Sequence, residues 1–171
     1  MKKIICFLFF VFLSCSQKSY ESSDKQRHIN HVRHEVAKKI AKETALVPFG
    51  TTGQALNQIE KLGLSFLHYG KLDDDHARSL LIKVGYVFID EVNGDENIRP
   101  YLANFPFNLK NIEVRIFIKD ELGRDLNDDN IQIVTLVDGV IEYNSYSSKD
   151  KKIELVKSEK LEDVIEMVGV R

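Results

Sequence analysis

The side chains that could do chemistry fall into four small groups. His28, His31 and His34 form the densest set of metal-ligating types. On a helix, each step of three residues turns about 300°, so the outer two histidines point about 120° apart and one ion cannot be gripped by all three. Asp73-Asp74-Asp75-His76 offers three acids and a base in succession. Three acids before an apolar run are also what a helix N-terminus uses to cap free N–H groups and to meet the positive end of its dipole, and that is the expectation taken here. Asp125, Asp128 and Asp129 lie in a polar stretch with Gly123 before them and no glutamate at the twelfth position, which fails the calcium-loop pattern. Ser65 and His68 have odd separation on an expected strand and point to opposite faces, and the chain has no G-x-S-x-G elbow. It has no G-x-G-x-x-G or phosphate-cradling loop either.

No metal and no cofactor is therefore expected. A module that binds is favoured over an enzyme. The catalytic alternative is a secreted or periplasmic hydrolase using His68 or His76 with nearby acids. With 24 basic against 26 acidic residues the net charge is -2, which leaves no cationic surplus for a phosphate backbone, so nucleic acid is not an expected partner. The two cysteines, Cys6 and Cys15, both lie near the N-terminus, so no disulfide or cysteine cluster can hold the body together.

That N-terminus carries an address. Lys2 and Lys3 precede an unbroken apolar run from Ile4 to Leu13, followed by Ser14, Cys15 and a polar stretch. The run would cross roughly half of a ~30 Å hydrocarbon core, too little for a mature transmembrane helix, and reads as an export signal. Phe12-Leu13-Ser14-Cys15 resembles the lipobox of bacterial lipoproteins, with Phe12 where that class usually has Leu. The resemblance implies cleavage between Ser14 and Cys15, a diacylglyceryl thioether on Cys15 and an acylated amine, and so a membrane partner held through lipid. Ser16 in place of Asp after the cysteine resembles the pattern sent to the outer membrane, facing the periplasm. A soluble secreted protein is the alternative location. Cleavage would leave 22 basic against 26 acidic residues, a balance of -4, so attachment would depend on the lipid and not on a polybasic face.

The elements behind these residues follow from periodicity. Residues 15–27 read as a solvated tether, and 28–171 as a single domain. Ile29, Val32, Val36 and Ile40 recur at helical spacing, predicting a helix from about His28 to Leu46. Thr51 or Thr52 is expected to cap a short helix carrying Ala55, Leu56 and Ile59, and Leu64 to Tyr69 to form a strand ended by Gly70. Ala77, Leu80, Leu81, Val84, Phe88 and Val92 predict a helix after the aspartates, ended near Asn93-Gly94. Ile112, Val114, Ile116 and Ile118 alternate with Glu113, Arg115, Phe117 and Lys119, as in a strand buried on one face. Asp138-Gly139 between two apolar runs predicts a two-residue hairpin turn. A short strand over Ile153 to Val156 and a helix from Ser158 or Glu159 close the chain. The expected fold class is α+β: a two-layer sandwich of a mainly antiparallel sheet with helices on one face.

Within it, Tyr101, Phe105 and Phe107, with Pro100 and Pro106, are expected to plug one end of the core or to form a recognition groove. Phe117, Tyr143 and Tyr146 would add aromatic area to the open sheet face, depending on register. Those six aromatics form the expected binding surface for an envelope protein or ligand.

Overall fold

The computed structural model of the chain describes residues 23–128 and 130–168. The export signal, the lipobox cysteine Cys15 with Ser14, the first part of the tether and Asp129 lie outside the described residues.

Helix α1 (Asp24–Glu43) buries Ile29, Val32, Val36 and Ile40 along one stripe, and the Ser23 hydroxyl accepts the Gln26 N–H at its start. It begins at Asp24 and not at His28, so Asp24 to Arg27 belong to the helix and not to the tether. Strand β1 (Val47–Gln54) replaces the short helix expected after Thr51. Val47, Phe49, Thr51 and Thr52 favour a pleated surface, and Thr51 and Thr52 pair with Leu64 and Gly63 of the neighbouring strand instead of capping anything. Ile59 alone of the expected helical trio enters the core, held by a bridge to Leu102.

Strand β2 (Lys61–Tyr69) and strand β3 (Ile112–Lys119) run parallel, joined by helix α2 (Asp74–Gly94). The Asp73 carboxylate accepts the His76 N–H at 2.8 Å, which gives the aspartate run its capping role. All six apolar residues of the expected α2 face are buried. Gly85 lies against the core as well: a Cβ there would stand 2.6 Å from Leu109 Cδ2, so the helix packs close at this point.

Strands β4 (Ile133–Val137) and β5 (Val140–Ser147) form the expected hairpin, with φ of 53° at Asp138 and 75° at Gly139. Strand β6 (Lys152–Lys160) runs well past the expected Val156, and helix α3 (Leu161–Val168) starts after it. The sheet order is β1-β2-β3-β4-β5-β6, antiparallel except for β2–β3. Both edges are irregular. The β1 ladder slips between Pro48 and Gly50, and the β5–β6 ladder between Tyr143 and Asn144.

The three helices cover one face of this sheet. Leu62, Leu64 and Phe66 of β2, Ile112, Val114 and Ile116 of β3, and Leu136 and Ile141 of the hairpin meet them in one continuous core. Among the described residues no helix is long and apolar enough to cross a membrane.

Candidate binding face of the sheet

The period of two that buries Ile112, Val114, Ile116 and Ile118 sends Arg115, Phe117 and Lys119 to the uncovered face. The Asp138-Gly139 turn then sets what stands opposite. Val137 faces Val140, Thr135 faces Glu142 and Ile133 faces Asn144. Two rows cross the sheet as a result. One reads Ser65, Arg115, Thr135, Glu142 and Ser158; the next reads Leu67, Phe117, Ile133, Asn144 and Leu155. Val47 pairs with Leu67 at one end of the apolar row, and Tyr146 faces Ile153 beyond the other. Phe49 meets Phe117 edge to face at 5.7 Å between ring centroids.

The exposed large apolar side chains lie at the two ends of this row, Val47 and Phe49 on β1 and Tyr146, Ile153 and Leu155 on β5 and β6, while Leu67, Phe117 and Ile133 between them are half-buried. Single exposed apolar residues need no explanation; here they flank one half-buried apolar row.

The small β-branched side chains of β4 make the middle of this face a trough. Its volume is about 490 Å³, with Ile133, Thr135 and Val137 on the floor, Arg115 and Phe117 on one wall, and Glu142 and Asn144 on the other. A second hollow of about 410 Å³ shares Phe117, Ile133 and Ile153 with it and ends at Tyr146. Thr135 is 8% exposed, and its hydroxyl oxygen is buried with no hydrogen-bond partner among the described residues, as are Arg33 Nε, Thr52 Oγ1 and His68 Nδ1. Asn144, 7% exposed, lines the same trough. Arg115 stands 3.6 Å from the Glu113 carboxylate.

The polar cluster on the covered face is built differently. Arg78 of α2 donates Nε and a terminal nitrogen to the two Glu159 oxygens at 2.8 and 2.5 Å, and the Tyr143 hydroxyl donates to Glu159 at 3.0 Å. Lys157 sits 4.1 Å from the Tyr143 ring centroid and pairs with Asp74. The guanidinium hydrogen bonds hold the Glu159 carboxyl down to about 2, against partial burial that pushes the other way. The same carboxylate raises Arg78, and burial raises Tyr143. This arrangement ties β6 to α2.

The six expected surface aromatics therefore part company. Phe117 and Tyr146 are on the open face. Tyr143 is fully buried on the opposite one, and Phe107 is 2% exposed, with its backbone N–H and carbonyl both held by the Asn93 side chain at 2.8 and 3.0 Å. Neither can contribute to a surface. Tyr101 stacks on His28 at 6.0 Å, and Phe105 projects to solvent beneath the Arg99 guanidinium. Sequence reasoning missed Arg115, Ile133, Thr135, Asn144 and Ile153, although the two-residue turn already fixes which β4 and β5 residues face each other.

The other candidate groups do not assemble. His68 and His76 meet edge to face at 6.1 Å, His68 Nε2 lies 3.4 Å from the Lys71 carbonyl, and neither ring is hydrogen-bonded to a carboxylate among the described residues. Asp125 pairs with Lys119, and Asp128 accepts the Ser148 N–H and hydroxyl, which lowers its carboxyl. A cavity of about 660 Å³ lies between the loops after β2 and β3, but its Asp120 carboxylate is already taken up by Arg124 and by two backbone N–H groups. No group of three His, Cys, Asp or Glu side chains is placed to hold a metal ion among the described residues. Comparison with protein-family models, with curated proteins and with solved structures found no match.

Proposed function

We propose that the chain is a bacterial envelope lipoprotein, anchored through lipid on Cys15, whose domain is a binding module that presents the open face of its sheet to a partner or ligand. The observation that carries the binding reading is the apolar row across that face, with exposed side chains at its two ends (Val47 and Phe49; Ile153 and Leu155), while each helix among the described residues packs on the other side. The hydrolase alternative needs His68 or His76 to share a proton with an aspartate. Their rings meet edge to face instead, and Asp73 is engaged in the helix cap. The anchor rests on the lipobox-like Phe12-Leu13-Ser14-Cys15 and on the apolar run before it.

Each half has its own test. Cells fed a fatty-acid analogue should label the chain but not its Cys15→Ala variant; label retained by the variant overturns the anchor. A photo-crosslinking residue at position 49 should trap a partner in intact cells, whereas one at the solvent-facing Lys38 of α1 should not. Equal yields at the two positions overturn the choice of face.

A further inference from the structure

Three segments meet at the end of the molecule where α1 begins. The Lys25 ammonium, in the first turn of that helix, donates to the carbonyls of Ala55 at 3.0 Å, Leu56, and Asn57 at 3.3 Å. One turn on, His28 stacks on the Tyr101 ring at 6.0 Å. The Ile59 N–H donates to the Tyr101 carbonyl at 2.8 Å, and its carbonyl accepts the Ala103 N–H at 2.9 Å. The loop after β1 and the loop after α2 are therefore fixed beside the start of α1. Each leaves a large apolar side chain in water: Leu56 is 86% exposed, and Phe105 is 52% exposed with the Arg99 guanidinium 4.4 Å from its ring centroid.

Apolar side chains exposed one by one are ordinary and by themselves call for no partner. What singles out these two is the short length of chain between their end of the domain and the lipid-bearing position. Eight residue steps separate Cys15 from Ser23, so the tether spans at most about 28 Å. Helix α1 has 20 residues, a length of about 30 Å, and runs from this end of the sheet to the other, where β1 starts opposite the last residues of β2. With Cys15 in the bilayer, the start of α1 is held within a tether's length of the headgroups. The far end, where Leu122 is 76% exposed, lies beyond the reach of a domain hung the other way up.

The chemistry at the near end suits that neighbour. A phenyl ring beside a guanidinium can enter the acyl boundary while the charge stays among the phosphates. Charges of both signs surround the two apolar side chains, Lys25, Arg27 and Arg99 among Asp24, Glu60 and Glu96, so contact depends on apolar burial and needs no anionic lipid. A protein covering Leu56 and Phe105 would have to fit into the gap that the tether leaves, whereas the bilayer is always within it.

We propose that the anchored domain stands on this end, with Leu56 and Phe105 in the headgroup layer of the bilayer that holds the Cys15 lipid. The strands run from this end to the other, so the sheet stands upright and its open face stays free for a partner. The inference rests on the lipid-anchor reading and adds an orientation to it. Lys25 matters to it because its ammonium fixes the Leu56 loop to the helix from which the tether leaves.

The chain has no tryptophan, so a single one reports on its own surroundings. Leu56→Trp, Phe105→Trp and Leu122→Trp, each produced in cells as the full chain and reconstituted into phosphatidylcholine vesicles, put that reporter at the two contacts and at the far end. All three side chains are exposed, and each variant should melt with wild type. Emission at 56 and 105 should lie to the blue of that at 122 and be quenched by lipid brominated near the headgroup, while emission at 122 is not quenched. Equal quenching at all three positions, or none at 56 or at 105 in chains that float with the vesicles, overturns the orientation and leaves the anchor standing. Quenching that requires added phosphatidylglycerol makes the contact one of charge and overturns the apolar assignment. Chains that carry no lipid on Cys15 and do not float defeat the anchor, and this inference with it.

Discussion

The two faces of the sheet are made from the same strands and differ in what is done with their polar atoms. On the covered face, Glu159 takes hydrogen bonds from Arg78 and Tyr143, and Lys157 lies over the Tyr143 ring, so one half-buried carboxylate joins β5, β6 and α2. On the open face, Thr135 is 8% exposed, its hydroxyl has no partner among the described residues, and its row neighbours Arg115 and Glu142 stand on the flanking strands. A closed network of the first kind holds a fold together, whereas the open face has no such network among the described residues to tie its strands to another element. On the proposed reading, stability and recognition are divided between opposite sides of single strands: Phe66 faces the core and Leu67, its neighbour in sequence, the open side.

That division can be broken at several strengths. The largest contrast should come from Phe66→Ala against Phe117→Ala on adjacent strands. The first empties a fully buried site and should cost about 3–5 kcal/mol in urea unfolding; the second removes a half-buried ring from the open face and should cost under about 1.5 kcal/mol. Similar losses would mean that the open face is part of the core.

Next in size, Arg78→Met strands the Glu159 carboxylate and should destabilise by about 2–3 kcal/mol, whereas Arg115→Met should change unfolding by no more than about 0.5 kcal/mol. The pH dependence sharpens the same point. Because the folded Glu159 carboxyl is held at about 2 against an ordinary 4.5, its contribution is fully present above about pH 4.5 and is lost as the pH falls toward 2. A loss of about 2 kcal/mol over that window, allowing for solvent at the sheet edge, should be seen in wild type and be absent from Glu159→Gln when the two acid unfolding profiles are subtracted. Asp120 and Asp128 are also lowered and titrate in both proteins, so the subtraction removes them. Smallest, and opposite in sign, is Thr135→Val. Replacing an unpartnered hydroxyl by a methyl should stabilise the free chain by about 0.5–1 kcal/mol, read as a rise in Tm.

What the sequence made legible was the local half of this arrangement. The α2 stripe, the β3 alternation and the Asp138-Gly139 turn are each carried by residues close together in the chain, and each formed as its period required. Strand β1 was obscured because Thr51 and Thr52 suit a helix cap as well as a strand, and what decides between them is pairing with β2, which no local window contains. The early start of α1 was legible and passed over, since Ser23 before Asp24 is an ordinary cap followed by an acid. At the site, Tyr143 and Tyr146 could have been assigned to opposite faces by their odd spacing. The burial of Phe107 could not, because it depends on Asn93 reaching across from the end of α2. Nor could the solitary Thr135 hydroxyl, which exists only once β3, β4 and β5 have been laid side by side.

The slipped ladders at both margins have a consequence for how this molecule meets others. Pro48 removes an amide donor from one border strand, and the offset beside Val156 twists the other, whose outer length also carries Lys152, Lys157 and Lys160. Neither border can readily template the addition of a further strand, so copies meeting edge to edge would be spared growth into ribbons and fibrils.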